Sequence, residues 1–300
     1  MNYYNEIKNK IIENEIYSKA KDYSKEKHKV ITYYEIGRLL KEAGTKYGDD
    51  IIGKYSKKLM NEIGTKYNKR ILFRMRQFYI IFSNGKVSPM ATQLSWSHYC
   101  ELLTIKDYNK IIYYIEICQK NKLSKRELRE KIKSNEYERL DDKTKSKLIT
   151  KQKNKVEDFI KNPIIIHAKN NNQEISEKIL KILILEDLDN FLKELGPDFV
   201  YVGNEYKIKI GERYNYIDIL LYNLEFRCFV VVELKITELK AEYIGQIEKY
   251  MNYINKNIKR ITDNETIGII ICKKENKFIL EYCSNNKIFE TTYKLNDWCL

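Results

Sequence analysis

The spacing of apolar residues changes character once along this chain, and that change constrains the fold more than any other feature. Up to about residue 140, apolar positions recur three and four apart, as in Ile31-Tyr34-Ile36-Leu39-Leu40 and Ile71-Phe73-Met75-Phe78-Tyr79-Phe82. That is the period of amphipathic helices. Turn signals at Gly44 and Gly48, at Gly64, and from Ser83 to Pro89 divide this half into five or six helices. The stretch 141–162, DDKTKSKLITKQKNKVEDFIKN, is polar, lysine-rich and poor in long apolar periodicity, and reads as a connecting segment or an exposed helix. Beyond it a helix is expected from about Ser176 to Leu195, stopped by Gly196-Pro197. Short β-branched and aromatic runs follow at Phe199–Val202, Tyr206–Ile210, Tyr216–Tyr222 and Arg227–Leu234, with tight connections between them. A helix over Ala241–Asn255 and strands at Ile267–Cys272 and Phe278–Tyr282 complete the pattern. The expectation is a helical domain over 1–140, a linker over 141–162 and an α/β domain over 163–300.

Length and composition fit that division. A chain of 300 residues with 43% hydrophobic content can bury two cores. No segment approaches the roughly 20 apolar residues of a bilayer span, and no apolar signal region follows the N-terminal charges, so the expected location is the cytoplasm, with no membrane partner. The six cysteines, Cys100, Cys118, Cys228, Cys272, Cys283 and Cys299, lie far apart with no CxxC pair and read as reduced thiols. The net charge of +13 is unevenly placed: residues 1–150 hold 32 Lys+Arg and 19 Asp+Glu, while residues 151–300 hold 23 of each. A genome-wide bias towards lysine would raise both halves alike. The asymmetry therefore points to a first domain that binds a polyanion.

The chemistry concentrates in two expected strands. Asp218 is a lone carboxylate among the apolar residues of Tyr216-Ile217-Asp218-Ile219-Leu220-Leu221, a costly placement without a partner. Fifteen positions later the run Phe229-Val230-Val231-Val232 leads into Glu233-Leu234-Lys235, where strand alternation puts Glu233 and Lys235 on one face. The triplet alone reads more readily as a strand-edge ion pair between Glu233 and Lys235, with Asp218 capping a turn. With Asp218 on the preceding strand, two carboxylates and a lysine converge, which is the oxygen-ligand set that Mg²⁺ or Mn²⁺ takes together with water and a substrate phosphate. In this reading Asp218 and Glu233 are metal ligands, the Leu234 carbonyl completes the shell and Lys235 stabilises developing negative charge.

These residues resemble the PDDEXK nuclease superfamily, with Asp218 at the first acidic position and Glu233-Leu234-Lys235 as the ExK motif. The helix AEYIGQIEKY over 241–250 looks like the GQxxxY helix of many such nucleases, in which the residues matching Gln246 and Tyr250 approach the metal or the DNA. At a finer level the run from Phe191 to Lys235 resembles the YhcG family, long described as a domain of unknown function, and the likeness covers nearly the whole chain. It implies a restriction-endonuclease-like α/β core preceded by an all-helical, winged-helix-like domain. Ile217 stands where some superfamily members have proline, and Glu205 where this family often has glutamine. The acid carried by the first helix of the fold is assigned by this resemblance to Glu186, with Glu177 and Glu194 competing.

Between Glu62 and Glu101 there is no acidic residue, while Lys66, Lys69, Arg70, Arg74, Arg76 and Lys86 fall in that window. The segment from Tyr55 through Phe82 resembles a helix-turn-helix whose second helix brings Lys69, Arg70 and Arg74 to phosphates. Trp96 and His98 read as a core tryptophan beside a satisfied histidine. The expectation is a Mg²⁺- or Mn²⁺-dependent DNA nuclease without a small-molecule cofactor, and a homodimer wherever both strands are cut. A non-catalytic nucleic-acid-binding or defence-system accessory protein that keeps the fold is the other reading. Drift in an inert site should have removed at least one of Asp218, Glu233 and Lys235.

Overall fold

The computed structural model describes residues 2–19, 25–44, 50–83, 85, 87–150, 155, 158, 160–168, 175–196, 198–281 and 285–297. Gly48, Lys86, Pro197, Tyr282, Cys283 and Cys299 lie outside them. The chain divides into two compact units, Met1–Tyr137 and Glu138–Leu300. No helix of the described residues is long and apolar enough to cross a membrane.

The first unit is helical: α1 (Tyr3–Lys19), α2 (Lys25–Ala43), α3 (Ile51–Glu62), α4 (Lys69–Ser83), α5 (Trp96–Leu102), α6 (Tyr108–Asn121) and α7 (Lys125–Lys133), with one-turn 3-10 segments at Thr65–Tyr67 and Pro89–Ala91. Its core forms where α2 crosses α4. Gly37 makes the crossing possible, because a Cβ there would lie 2.1 Å from the Met75 carbonyl oxygen. Phe78 then packs edge-on against Tyr34, Phe82 and Trp96. His98 is held at both ring nitrogens, by Ser95 at 2.8 Å and the Leu123 carbonyl at 2.9 Å. Among the described residues this unit has no strand, so the helical expectation is met without the β-wing of a winged helix.

The second unit holds α8 (Asp142–Thr150), β1 (Ile164–Ala168), α9 (Glu177–Glu186), α10 (Leu188–Leu195), β2 (Phe199–Ile210), β3 (Arg213–Asn223), β4 (Cys228–Leu234), α11 (Ala241–Asn257), β5 (Ile267–Cys272), α12 (Lys277–Glu281) and β6 (Ile288–Asp297). The six strands form one sheet in the order β1-β6-β5-β4-β3-β2. β2, β3 and β4 are an antiparallel meander, whereas β4–β5, β5–β6 and β6–β1 pair in parallel. Val230 and Val232 enter one apolar cluster with Leu180, Ile184, Phe191 and Leu195 of α9 and α10, and Val231 enters the other with Ile247, Met251 and Ile254 of α11. The valine run is thus the centre of an α/β/α sandwich, buried on both faces as a strand between helix layers must be. The described cysteines are free, and Cys118, Cys228 and Cys272 are buried as small apolar side chains.

Three expectations are corrected. The helix over Ser176–Leu195 breaks at Asp187, whose backbone leaves the helical region (φ −126°, ψ 44°) while its carboxylate binds His167 Nδ1 of β1 at 2.9 Å. The two strands Phe199–Val202 and Tyr206–Ile210 are one strand with a bulge between Tyr201 and Gly203. Lys277–Glu281 is helical, and the last strand is Ile288–Asp297. The stretch 141–162, expected as a connecting segment or an exposed helix, carries α8.

Arg139 fastens the entry to that unit. Its guanidinium grips Glu194 of α10 through both nitrogens, one contact being Nη2 to Oε1 at 3.1 Å, and donates to the Pro163 carbonyl at 2.9 Å. Glu194 Oε2 also accepts from the Ile165 amide at 3.2 Å, and although burial raises its carboxyl, the Arg139 guanidinium, the Lys161 charge and that amide together hold it below its usual value. Removing one member of such a pair strands a buried charge. Arg139→Ala is expected to lower stability by about 3–5 kcal/mol, read from the denaturant midpoint of unfolding.

Candidate active site

The triad of the sequence meets where β3 and β4 diverge. Their pairing ends at Ile219 with Val232, and past that point the Leu234 amide donates not to backbone but to Asp218 Oδ2, at 3.0 Å. Asp218 thereby gains the partner that its apolar strand withholds. One residue on, the Lys235 amide donates to the Ile271 carbonyl at 2.8 Å, which keeps the chain extended beyond the end of β4. Glu233 and Lys235 consequently share a face, with Lys235 Nζ 2.9 Å from Glu233 Oε1.

The α11 layer supplies the next contacts. Gln246 Nε2 donates to Glu233 Oε1 at 2.6 Å and stands 3.2 Å from the Tyr250 hydroxyl. Ile244, Ile247, Met251 and Ile254 seat the helix on the sheet, so Gln246 is aimed at the end of β4 by packing around it. Tyr243 of the same helix has its ring centroid 5.0 Å from Lys235 Nζ. On the other side stands α9, capped by Ser176, whose hydroxyl accepts from the Ile179 amide. It brings Glu177 Oε2 to 3.7 Å from Lys235 Nζ. One turn on, Lys181 Nζ sits 2.8 Å from Asp218 Oδ1 and 3.3 Å from Glu205 Oε1.

The three candidate helix acids are placed differently. Glu186 is exposed at the far end of α9, nine residues and about 13 Å along the axis from Glu177, while Glu194 is bound to Arg139. Glu177 is the acid that reaches the site. Lys181 was not singled out by sequence. Its only signal is its place four residues after Glu177, on the same face of a helix. Gln246 and Tyr250 stand with the triad.

The charges are unbalanced. Asp218, Glu233, Glu177 and Glu205 face Lys181 and Lys235, which leaves two negative charges uncompensated if all are ionised. Burial first, and then the field of Asp218, push the Glu233 carboxyl up to about 7, although Lys235 opposes both. The Lys235 ammonium is correspondingly held above its usual value, the carboxylates around it outweighing its own burial. Glu233 Oε2 is buried without a hydrogen-bond partner. A buried carboxylate oxygen left empty beside a second carboxylate is costly, and a divalent cation relieves both defects. No group of three or more His, Cys, Asp or Glu side chains forms a metal cage among the described residues. Two carboxylates without a cage fit Mg²⁺, which keeps several waters and takes the rest of its shell from phosphate.

Residues 157–297 match the YhcG PDDEXK nuclease domain, and residues 3–139 match the DUF1016 N-terminal domain. The chain is 24% identical over 309 residues to the Escherichia coli (strain K12) protein named "Putative nuclease YhcG", covering 88% of this chain and 82% of that one. Two solved structures are similar over less than half of this chain. One is a repair endonuclease from Pyrococcus abyssi (15% identity, 41% of this chain, TM-score 0.29), and the other is EndoMS in complex with double-stranded DNA (18% identity, 43% of this chain, TM-score 0.29). The matched part spans about half the length of each of those chains, 49%.

Proposed function

Because the chain belongs to the YhcG family of PDDEXK nuclease-domain proteins, we propose that it hydrolyses phosphodiester bonds in DNA with Mg²⁺ or Mn²⁺. The observation that carries this reading is the empty, buried Oε2 of Glu233 facing the field of Asp218 beside the Lys235 ammonium. Asp218 and Glu233, with the Leu234 carbonyl at the end of β4, are the groups that hold the metal. When bound, the metal lowers the pKa of a water, neutralises charge on the phosphate and orients the two.

The side chains do the rest. Lys235, fixed by Glu233 and walled by the Tyr243 ring, presents its ammonium to the oxygen on which charge develops. Gln246 orients Glu233 by donating to Oε1, which leaves Oε2 as the free ligand atom. The Tyr250 hydroxyl holds Gln246 in turn. Glu177 is a further acceptor at the mouth of the site.

The first unit supplies phosphate contacts in this proposal. Of the basic residues around α4, Arg70 is exposed, and Lys66 and Lys69 are exposed but paired with Glu15 and Asp50 at 2.5 and 2.8 Å. Arg74 and Arg76 are half-buried, which makes them the weaker members of the set. Exposed ion pairs are worth little, so phosphate can exchange for Glu15 or Asp50 at small cost.

The test is cleavage of plasmid, linear and branched DNA with Mg²⁺, Mn²⁺ or EDTA. Wild type is expected to cut only with metal, and Asp218→Ala to cut nothing while keeping its fold. DNA binding without cutting under every metal condition would hand the function to a non-catalytic binding role.

A further inference from the structure

The nuclease site accounts for Asp218 but not for what extends beyond it along the same two strands. β2 and β3 have 12 and 11 residues, against 7 in β4, and β4 pairs with β3 only from Ile219 onward. Residues 206–217 therefore continue past the sheet as a two-stranded ribbon, paired from Tyr206 with Ile217 to Ile210 with Arg213. At about 3.3 Å per residue it reaches some 15–20 Å from the site.

The two faces of this ribbon differ. Ile208 and Ile217 are buried in the α11 cluster, and Asn215 accepts from Lys249 of α11, so that face is occupied. The other face carries Lys207, Lys209, Tyr214 and Tyr216. The tyrosines are 55% and 53% exposed, and both lysines are exposed. Register places Lys207 opposite Tyr216 and Lys209 opposite Tyr214, with Lys207 Nζ 3.9 Å from the Tyr214 ring centroid and Lys209 Nζ at 5.9 Å. Next to them at the inner end come Glu205 and Asp218, joined through Lys181. From 206 to 217 the charges are Lys207, Lys209 and Arg213 against Glu212, a net of +2.

Exposed rings interleaved with ammonium groups match one kind of ligand well. Phosphates take the lysines and base faces take the rings. Bases within a duplex are already stacked, so the rings select for unpaired ones. We propose that this face of the ribbon is a stacking platform for an unpaired strand of the nucleic acid, which leaves the cleavage site across Tyr216 and Tyr214 with its phosphates on Lys207 and Lys209. The preferred substrate is then a duplex with a single-stranded tail or flap. This rests on the nuclease reading, and it adds the form of the substrate.

The probes are a fluorescein-labelled blunt duplex DNA and the same duplex bearing an oligothymidine tail, with binding followed by anisotropy in EDTA. Wild type is expected to bind the tailed probe more tightly. Tyr214→Ala with Tyr216→Ala should erase that preference, a loss of about tenfold or more, and leave the blunt duplex unchanged. Phenylalanine at both positions, which keeps the ring, should retain the preference. Lys207→Ala with Lys209→Ala should flatten the salt dependence of tail binding by about 1.4 in log–log slope. The proposal is overturned if wild type shows no tail preference, or if the alanine pair weakens both probes equally. Plasmid cleavage with Mg²⁺ by the same proteins separates the two readings. Cutting without a tail preference sinks the platform alone, and a tyrosine-dependent tail preference in a protein that never cuts sinks the nuclease alone.

Discussion

Lys235→Met is expected to slow cleavage by about 10²–10³-fold while leaving DNA binding in EDTA within a few-fold of wild type. The expectation comes from where the ammonium sits. It is 7% exposed, fixed 2.9 Å from Glu233 Oε1, and bordered by the Tyr243 ring and Glu177, so almost nothing in the site needs to reorganise for it to meet developing charge. Methionine keeps the length and apolar stem of the side chain and removes only the charge. Its loss also leaves Glu233 without its counter-ion, and the carboxyl answers by holding its proton to still higher pH. The defect should therefore shrink, though not vanish, as pH is raised. Single-turnover cleavage at saturating enzyme separates this from weaker substrate binding. If Lys235→Met cut at the wild-type rate, the lysine would be serving only to balance Glu233, and the ExK triplet would be a structural ion pair.

What the sequence could disclose followed the range of the forces involved. Asp218, Glu233 and Lys235 were legible because strand alternation is local and because a carboxylate inside an apolar strand announces a partner. The valine run and α11 were legible for the same reason. The partner of Asp218 was not, since Lys181 reaches it from α9, 37 positions earlier in the chain, and nothing near Lys181 marks it. Glu186 and Glu177 share one helix, and only the packing of α9 on the sheet decides which end meets the site. The break at Asp187 depends on His167 of β1, another contact at a distance. Gly203-Asn204 carried a turn signal that pairing with β3 overrode, turning a break into a bulge. β1 and β6 pair in parallel with each other, across the 119 residues of chain between them, and no local pattern encodes that ladder. The helices around α4 were legible by period, but a wing is a matter of strand pairing, and the helical period could not speak to it.

Glu233→Gln is expected to abolish cleavage and, above pH 7, to make the protein more stable than wild type relative to their difference at pH 4.5. Burial and the neighbouring Asp218 raise the carboxyl from 4.5 to about 7 in the folded protein. Between those values the native state holds a proton that the unfolded chain has released. Stability is therefore fully present below pH 4.5 and declines as pH rises through about 7, with a total loss of about 3 kcal/mol. Glutamine is already neutral, keeps an oxygen for Lys235 and Gln246, and has no such slope. The difference between the two denaturant midpoints, followed from pH 4.5 to 8 in EDTA, reports Glu233 together with its coupling to the neighbouring charges, because groups away from the site titrate alike in both proteins. Mg²⁺ should return most of the lost stability to wild type at high pH and little to the variant, since only a carboxylate rewards the metal for displacing the proton. A flat difference curve would mean that Lys235 and Gln246 already satisfy Glu233 as an ion. The site would then gain nothing in stability from a cation, and the case for metal built on the empty Oε2 would fail with it.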